Sequence, residues 1–450
     1  MNAQGGNADI GVTRAIARRA LAIRHADLPA DIKELVRQCV LDTIGVAIAG
    51  ADDPLVQMLG AELEEQGGAG VAGVFGQKRR LPTLSAALLN GTMAHALDYD
   101  DVNLAMPGHP SVAVLPAVLA LAEERGSSGA EVIAAFLAGY ETACRVGRLI
   151  APGHYDGLGF HATGTVGAFG AAAGCAHLLG LDEEQTLHAL GIAAAQAAGL
   201  KSLFGTMCKP LHAGRAAYNG LLAARLAARG FTARPDSLEC AQGFAAAHSP
   251  DFHPDAALAD PEGGWHIRHN LFKYHAACYL THAGIESALK LRNDINPDQI
   301  AAITLRIDQA TDRVCNIPSP RTGLEAKFSL RQTAAMALTG HDTSRLDTYT
   351  EATANDPALV ALRNRITIDF QTGWPHTRAE MDIRLTDQTT RTATHDSGHP
   401  ATDIQAQAQR LDQKFLGLVT PILGEPAANQ HRHHIAHLDS AASLAGVAGV

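Results

Sequence analysis

Residues 29–50 read PADIKELVRQCVLDTIGVAIAG, and their pattern decides how the first half of the chain folds. Apolar residues recur after Pro29 at three- and four-residue steps, at Ile32, Leu35, Val36, Cys39, Val40, Ile44, Ala47 and Ile48. This spacing predicts a buried helix. Similar Ala- and Leu-rich segments follow at about 82–97, 110–124, 129–150, 163–180, 183–198 and 210–229. The chain up to residue 268 is therefore predicted to be helical.

The hydrophobic period changes after about residue 295. Ile303, Leu305 and Ile307 alternate with other residues, and residues 366–370 and 381–385 show the same alternation. A period of two is typical of strands. Helical spacing appears near 323–338 between the first two strands and returns at 404–423.

These patterns predict a mainly α protein with a smaller α/β domain. We expect both chain ends, 1–268 and 405–450, to form a large all-helical domain, with an α/β domain inserted at 269–404. Two domains also suit the length, since 450 residues exceed the roughly 250–300 at which single cores stop growing.

Charge and composition exclude several classes of protein. A net charge of −10, from 36 Lys+Arg and 46 Asp+Glu, argues against a nucleic-acid partner. No apolar run reaches the roughly 18 residues of a spanning helix, so we expect no membrane partner. Seven dispersed cysteines without CxxC spacing favour a reduced compartment, which we expect to be the cytoplasm.

The first chemical motif is DYDD at residues 98–101, followed by GHPS at 108–111. Three carboxylates in four residues repel one another, so the fold must supply a cation, a proton or solvent. His109 precedes a Pro-initiated helix, where free backbone N–H groups favour an anionic ligand. Two alternatives stay open, a solvated helix end and a metal-dependent enzyme in which Asp98, Asp100 and Asp101 hold Mg²⁺.

Two further motifs place basic groups at helix starts. The segment GLGFHATG at 157–164 brings His161 to a helix that Thr163 is expected to cap. In GTMCKPLHAGR at 205–215, Pro210 is expected to be the first helical residue, with Lys209 before it and His212 and Arg215 after it. Such a cluster favours a carboxylate or phosphate, although an exposed basic turn is the alternative.

A fourth segment, FKYHAACYLTH at 272–282, lies where the helical and α/β parts are expected to meet. Lys273 would need a partner if it were buried in this aromatic and apolar run. A nucleophilic Cys278 has little support, because histidines adjacent in sequence are not a spatial dyad. The chain contains no P-loop, GxGxxG after a strand, HExxH or GxSxG, which removes the commonest nucleotide, zinc-protease and serine-hydrolase classes.

Several motifs together resemble the MmgE/PrpD family, which includes 2-methylcitrate dehydratase, cis-aconitate decarboxylase and iminodisuccinate epimerase. They are Leu41-Asp42-Thr43-Ile44-Gly45, Asn90-Gly91-Thr92 leading through His95 to the aspartates, His109-Pro110-Ser111, Lys209 to Arg215, Ala326-Lys327-Phe328-Ser329 and Lys414-Phe415. The resemblance covers most of the chain. It implies a homodimer that needs no metal and no organic cofactor.

The resemblance also implies a set of site residues. The catalytic set is Asp98, His109, His161, Lys209 and Lys273, and we expect His212, Arg215 and Tyr155 to bind the substrate. The assignment of base and acid between the two catalytic histidines stays open.

Two departures from the family bear on the reaction. The decarboxylases carry a histidine five residues after the lysine that matches Lys273, where this chain has Cys278, and the usual Thr after the aspartates is Val102. We therefore expect a lyase or isomerase of the dehydratase or epimerase type, which acts on a small di- or tricarboxylate through a carbanion. The alternatives are a cis-aconitate-type decarboxylase, the metal-dependent enzyme above and a non-catalytic dimeric scaffold.

Overall fold

The computed structural model describes residues 11–444, 447 and 449, and its contacts divide the chain into two compact units. One unit runs up to Phe272 and resumes at Asp403, and the other is Lys273–Thr402. The fold class is confirmed as mainly α with a smaller α/β part. The exact domain boundaries at 268/269 and 404/405 stay a prediction.

Helices make up most of the first unit. They are α1 (Val12–Leu21), α2 (Ala30–Ala49), α3 (Pro54–Gln66), α4 (Thr83–His95), α5 (Pro110–Arg125), α6 (Gly129–Ile150), α7 (Ala162–Leu179), α8 (Glu183–Ala194), α9 (Cys208–Ala228), α10 (Phe244–His248) and α11 (Pro254–Leu258). The segment quoted at the outset forms α2, and all eight of its periodic apolar residues are buried.

The sequence predicted an all-helical domain here, and that prediction was wrong in one detail. Strands β1 (Ala72–Gly73) and β2 (Arg80–Leu81) form a short antiparallel ladder after α3. Two-residue strands carry no readable period, so hydrophobic spacing could not reveal them.

Helix α7 is central to the first unit and packs against α5, α6, α8 and α9. Its glycines allow close approach: a Cβ added at Gly170 would lie 2.8 Å from the carbonyl oxygen of Gly139 on α6. Although α7 has 18 residues and a mean hydropathy of 1.2, which are the length and composition of a membrane span, 89% of it is buried inside the protein. Burial of that extent is typical of a core helix.

The second unit combines one sheet with helices. Its helices are α12 (His282–Arg292), α13 (Asp312–Cys315), α14 (Gly323–Ala326), α15 (Leu330–Leu338), α16 (Glu351–Ala354) and α17 (Pro357–Arg363). Its strands are β3 (Ile300–Asp308), β4 (Ile366–Gln371), β5 (Arg378–Leu385) and β6 (Thr390–Asp396), in the order β4-β3-β5-β6. Strands β3 and β4 are parallel and the other pairs are antiparallel. Helix α12 packs on strands β5 and β6.

The last two helices, α18 (Ile404–Leu423) and α19 (Glu425–Ala436), return to the first unit. Lys414 on α18 donates a hydrogen bond to Asp42 of α2 at 2.6 Å and another to the carbonyl oxygen of Tyr99 at 2.7 Å. The Lys414 ammonium also lies 3.9 Å from the centroid of the Tyr99 ring. One buried cation thus joins two helices to the loop that carries the DYDD motif.

We expect Lys414→Met to destabilise the protein by about 3 kcal/mol, because it removes the cation from the buried carboxylate of Asp42. Urea unfolding of the purified protein measures this change. The exposed Lys78→Met is the control, with an expected effect within about 0.5 kcal/mol. Equal stability of the two variants would show that the buried pair does not hold the loop.

Candidate active site

Three helix starts converge near the loop that follows α4. His109 and His161 are the N-cap residues of α5 and α7, and Lys209 is the second residue of α9. The prediction that Lys209 precedes its helix was wrong, since α9 begins at Cys208. Pro210 is tolerated there because the first four N–H groups of a helix have no partner within the helix.

The prediction that Thr163 caps α7 was wrong. The cap position belongs to His161, and the Thr163 hydroxyl instead accepts the backbone N–H of His109 at 3.1 Å. Thr163 therefore joins the start of α7 to the start of α5 and fixes the spacing of the two histidines.

Asp98 and Lys209 form an ion pair at the open side of this cluster. The Lys209 ammonium lies 2.8 Å from Asp98 Oδ1, and His109 Nε2 lies 3.7 Å from the same oxygen. The Asp98 side chain is 40% exposed and that of Lys209 is 15% exposed. A small ligand could thus reach a cation and an imidazole nitrogen at one point.

Asp100 lies beneath this pair and is completely buried. Its Oδ2 is 3.0 Å from His109 Nδ1, and His95 Nδ1 lies 3.0 Å from both of its oxygens. His109 Nδ1 also lies 2.8 Å from the carbonyl oxygen of Asp101. Because all of these oxygens accept hydrogen bonds, both Nδ1 atoms must carry the proton. In the neutral tautomer that carries this proton, the His109 ring presents its lone pair at Nε2 towards Asp98 and Lys209.

His161 and His212 form a second imidazole pair. Their Nδ1 atoms are 3.0 Å apart, so one nitrogen donates and the other accepts. The edge of the Phe204 ring packs on His161, with 4.9 Å between ring centroids. Phe204 also lies 5.4 Å from the Lys209 ammonium, so one aromatic ring covers both groups.

Asp101 is fully buried and has hydrogen-bond partners different from those of Asp98 and Asp100. Its Oδ2 accepts hydrogen bonds from Ser111 and Asn270, whereas Oδ1 has no hydrogen-bond partner among residues 11–444. Burial raises the pKa of Asp101 to about 7, and the neighbouring carboxylates of Asp42 and Asp100 add to that rise. A buried acid in this environment favours the neutral form.

The other buried groups are held in defined protonation states. Burial lowers the pKa of His95 to about 4, and the Lys209 ammonium adds to this effect. Burial also lowers the pKa of His161, again helped by neighbouring cationic groups. Burial opposes ionisation of Asp100, but the His109 and His95 imidazoles that donate to it hold its pKa well below the usual range. Asp100 is thus a buried anion that accepts hydrogen bonds from two imidazole rings.

The structure groups a different set of potential metal ligands from the three aspartates that the sequence suggested. His95, Asp98, Asp100 and His109 have potential ligand atoms within 4.8 Å of one another, and Asp101 is not in this group. Here Nδ1 of His95 and Nδ1 of His109 donate hydrogen bonds to Asp100, and the Lys209 ammonium already pairs with Asp98. The arrangement fits a hydrogen-bonded cluster better than a set of metal ligands.

The remaining predicted residues lie in different surroundings. The Tyr155 ring packs 3.7 Å below the Lys201 ammonium, and burial raises the pKa of Tyr155 to about 12, with contributions from Asp156 and Asp98. Arg215 is exposed and donates a hydrogen bond to Asn219. Lys273 is buried and is the first residue of the second unit. The catalytic and substrate-binding roles of all the predicted site residues stay predictions.

Sequence reasoning missed two members of the cluster, His95 and Asp100. Asp100 was considered only as a metal ligand, and His95 only as part of a family motif. Their five-residue separation across the end of α4 is not a recognisable motif, because the contact depends on the path of the following loop.

Comparison with known proteins identifies the family of this chain. The MmgE/PrpD N-terminal domain matches residues 14–257, and the MmgE/PrpD C-terminal domain matches residues 275–440. The chain belongs to the MmgE/PrpD family. The cluster built around Asp100 lies wholly within the N-terminal match.

Curated MmgE/PrpD relatives include several cis-aconitate decarboxylases. The chain is 32% identical to that of Aspergillus terreus (strain NIH 2624 / FGSC A1156) over 336 residues, which cover 70% of this chain and 69% of the relative. It is 28% identical to the Homo sapiens enzyme over 374 residues, covering 80% and 76%. It is 27% identical to the Mus musculus enzyme over 409 residues, covering 86% and 83%. The family and these relatives indicate a lyase-type enzyme.

We expect Asp101→Asn to change how stability depends on pH. The pKa of Asp101 is raised on folding, so its contribution to stability is complete at low pH and is lost as pH rises towards 7. The side-chain amide of the variant does not ionise, so its contribution to stability does not change with pH. The melting temperature of the variant should therefore rise relative to that of the wild type between about pH 4 and 7.

The matched control is Glu65→Gln, at an exposed position of α3. Its melting temperature should follow that of the wild type over the same pH range. If the difference in melting temperature between Asp101→Asn and the wild type did not change with pH, Asp101 would be ionised in the folded protein over the whole range.

Proposed function

We propose that the protein is a cofactor-independent lyase or isomerase that removes a proton beside a carboxylate of a small di- or tricarboxylic acid. The observation that carries this proposal is that His109 Nε2 and the Lys209 ammonium both lie near Asp98 Oδ1, at 3.7 and 2.8 Å, while the other His109 nitrogen is held by Asp100. A base and a cation at one accessible point are what enolate formation requires.

His109 acts as the base in this proposal. As Nε2 takes a proton from carbon, the C–H bond breaks and its electron pair moves into the adjacent carboxylate to form an enolate. The imidazolium that results is stabilised by the Asp100 carboxylate at Nδ1, so charge develops where a fixed partner already exists. In this proposal Asp100, rather than Asp98, orients the base.

Lys209 stabilises the enolate. Its ammonium binds a substrate carboxylate and faces the oxygen that gains charge. Asp98 holds the ammonium at 2.8 Å in the absence of substrate and orients it. The N-terminal ends of α5, α7 and α9 add a positive potential that favours an anionic substrate.

His161 serves as the second proton-transfer group. Its Nδ1 contact with His212 allows a proton to pass between the two rings, so His212 supports His161 in this mechanism. Burial lowers the pKa of both imidazoles, which makes either imidazolium a ready proton donor.

The fate of the enolate distinguishes the possible reactions. In dehydration the β C–O bond breaks, and the leaving hydroxide takes a proton to become water. In epimerisation a proton returns to the opposite face of the carbon. Proton abstraction is common to both, and the sequence favours these two outcomes.

Decarboxylation of cis-aconitate is the second candidate, because curated relatives at 27–32% identity carry that activity in their names. In that reaction the C–C bond to one carboxylate breaks, CO₂ leaves, and the carbanion takes a proton. Cys278 stands where those enzymes are expected to carry a histidine, and it is half-buried here.

We also propose that the protein is a cytoplasmic homodimer, because its cysteines are free and because the resemblance to the family implies a dimer.

We expect Lys209→Met to lower kcat/KM by about 10²-fold or more, because it removes the cation that faces the developing charge. The melting temperature should stay near that of the wild type, and the exposed Lys78→Met should retain full activity. Wild-type activity should also persist in EDTA. A fully active Lys209→Met variant would reject this site, and loss in EDTA with recovery in Mg²⁺ would favour the metal hypothesis.

Exchange of solvent deuterium is the most sensitive test of the reaction class. We would incubate the protein in D₂O with citrate, 2-methylcitrate, cis-aconitate, malate, tartrate, aspartate and iminodisuccinate, and follow each acid by proton NMR. Because His109 is proposed to remove a carbon-bound proton, at least one acid should exchange, dehydrate or epimerise. The Lys209→Met variant is the control for non-enzymatic exchange.

Rapid formation of itaconate would support the decarboxylase instead and show that Cys278 permits it. No reaction with any acid, in a folded protein, would contradict the proposed substrate class.

A further inference from the structure

We infer that His95 is a positioning residue, which holds the Asp100 carboxylate in the orientation that His109 needs. This inference rests on the proposed function, in which His109 is the base. His95 would touch neither substrate nor the reacting atoms. It would act through Asp100 alone.

The geometry of Asp100 is the first argument. His95 is the last residue of α4, and both His95 and Asp100 are fully buried. His95 Nδ1 lies 3.0 Å from each Asp100 oxygen, and His109 Nδ1 lies 3.0 Å from Oδ2. Water does not reach this carboxylate, so the two imidazoles fix its rotation about the side-chain bonds.

The second argument concerns the other nitrogen of His95. Nε2 is buried and has no hydrogen-bond partner among the residues that the structure describes. Leaving a polar atom unsatisfied in the interior costs stability, and an apolar side chain of similar size would avoid that cost. An imidazole at this position is therefore explained by what Nδ1 does rather than by packing.

The charge of His95 is the third argument. The titratable groups that face it are Asp100, His109, His161, Lys209 and Asp98. Since burial favours its neutral form, His95 orients Asp100 without cancelling the negative charge. A lysine or arginine there would neutralise Asp100 and weaken its support for the imidazolium of His109.

The ring of His95 also lies next to both catalytic histidines. Its centroid lies 4.6 Å from that of His109 and 5.8 Å from that of His161, and the His95 and His161 rings are inclined by only 21°. A displaced His95 would therefore disturb both proposed proton-transfer groups.

Two amide variants provide the test. The amide nitrogen of Asn lies close to the position of a histidine Nδ1, and that of Gln lies close to Nε2. His95→Asn therefore keeps the donor to Asp100, and His95→Gln moves it away. We expect His95→Gln to lower kcat on the order of 10²-fold with little change in KM, and His95→Asn to restore at least about tenfold of that loss.

A second readout does not need substrate. In protein labelled with ¹⁵N-histidine, protons shared between Nδ1 and a carboxylate give far-downfield NMR signals. We expect such signals from His95 and His109 in the wild type. His95→Asn should preserve the His109 signal, whereas His95→Gln should shift or broaden it, with both variants folded by circular dichroism.

The outcomes separate the two proposals. An unchanged His109 signal in His95→Gln, or equal kcat values for the Asn and Gln variants, would overturn the positioning role. The expected signals in a protein that exchanges no acid would support the role of His95 at Asp100 and count against the proposed function alone.

Discussion

The buried carboxylate of Asp100 constrains the rest of the site. A carboxylate without access to water needs hydrogen-bond donors, and here two imidazole Nδ1 atoms supply them. That requirement places a proton on Nδ1 of both rings. It turns His109 Nε2 to the side where Lys209 and Asp98 lie, so a structural need of the interior determines the chemistry at the surface.

The scaffold holds this arrangement from several directions. Lys414 binds Asp42 and the carbonyl oxygen of Tyr99, which fixes the middle of the DYDD motif to α2 and α18. Thr163 links the starts of α5 and α7. Glycines on α6 and α7 let those helices approach closely, which brings the N-terminal end of α7 to the cluster. The positive ends of three helices then face one small region, which suits a substrate with several carboxylates.

Much of this fold could be predicted because hydrophobic spacing records burial. The segments that became α2 and α18 match the predicted helices at nearly every residue, and the alternation of Ile303, Leu305 and Ile307 matches β3. The site was harder, since motifs mark which residues start helices but not where loop side chains point. Asp98 adopts a left-handed φ of 50°, and this turn decides that Asp100 meets the histidines while Asp101 enters the core. Neither composition nor spacing encodes that choice.

The tautomer of His109 tests the central claim most directly, because it needs no knowledge of the substrate. Two-bond ¹H–¹⁵N correlation spectra of ¹⁵N-histidine-labelled protein distinguish protonated from unprotonated ring nitrogens, and His109→Gln assigns the signals. The account predicts a His109 ring protonated at Nδ1 and bare at Nε2, with the Nδ1 signal displaced in Asp100→Asn. A neutral ring protonated at Nε2 would contradict it, because that ring could neither donate to Asp100 nor take a proton from the substrate.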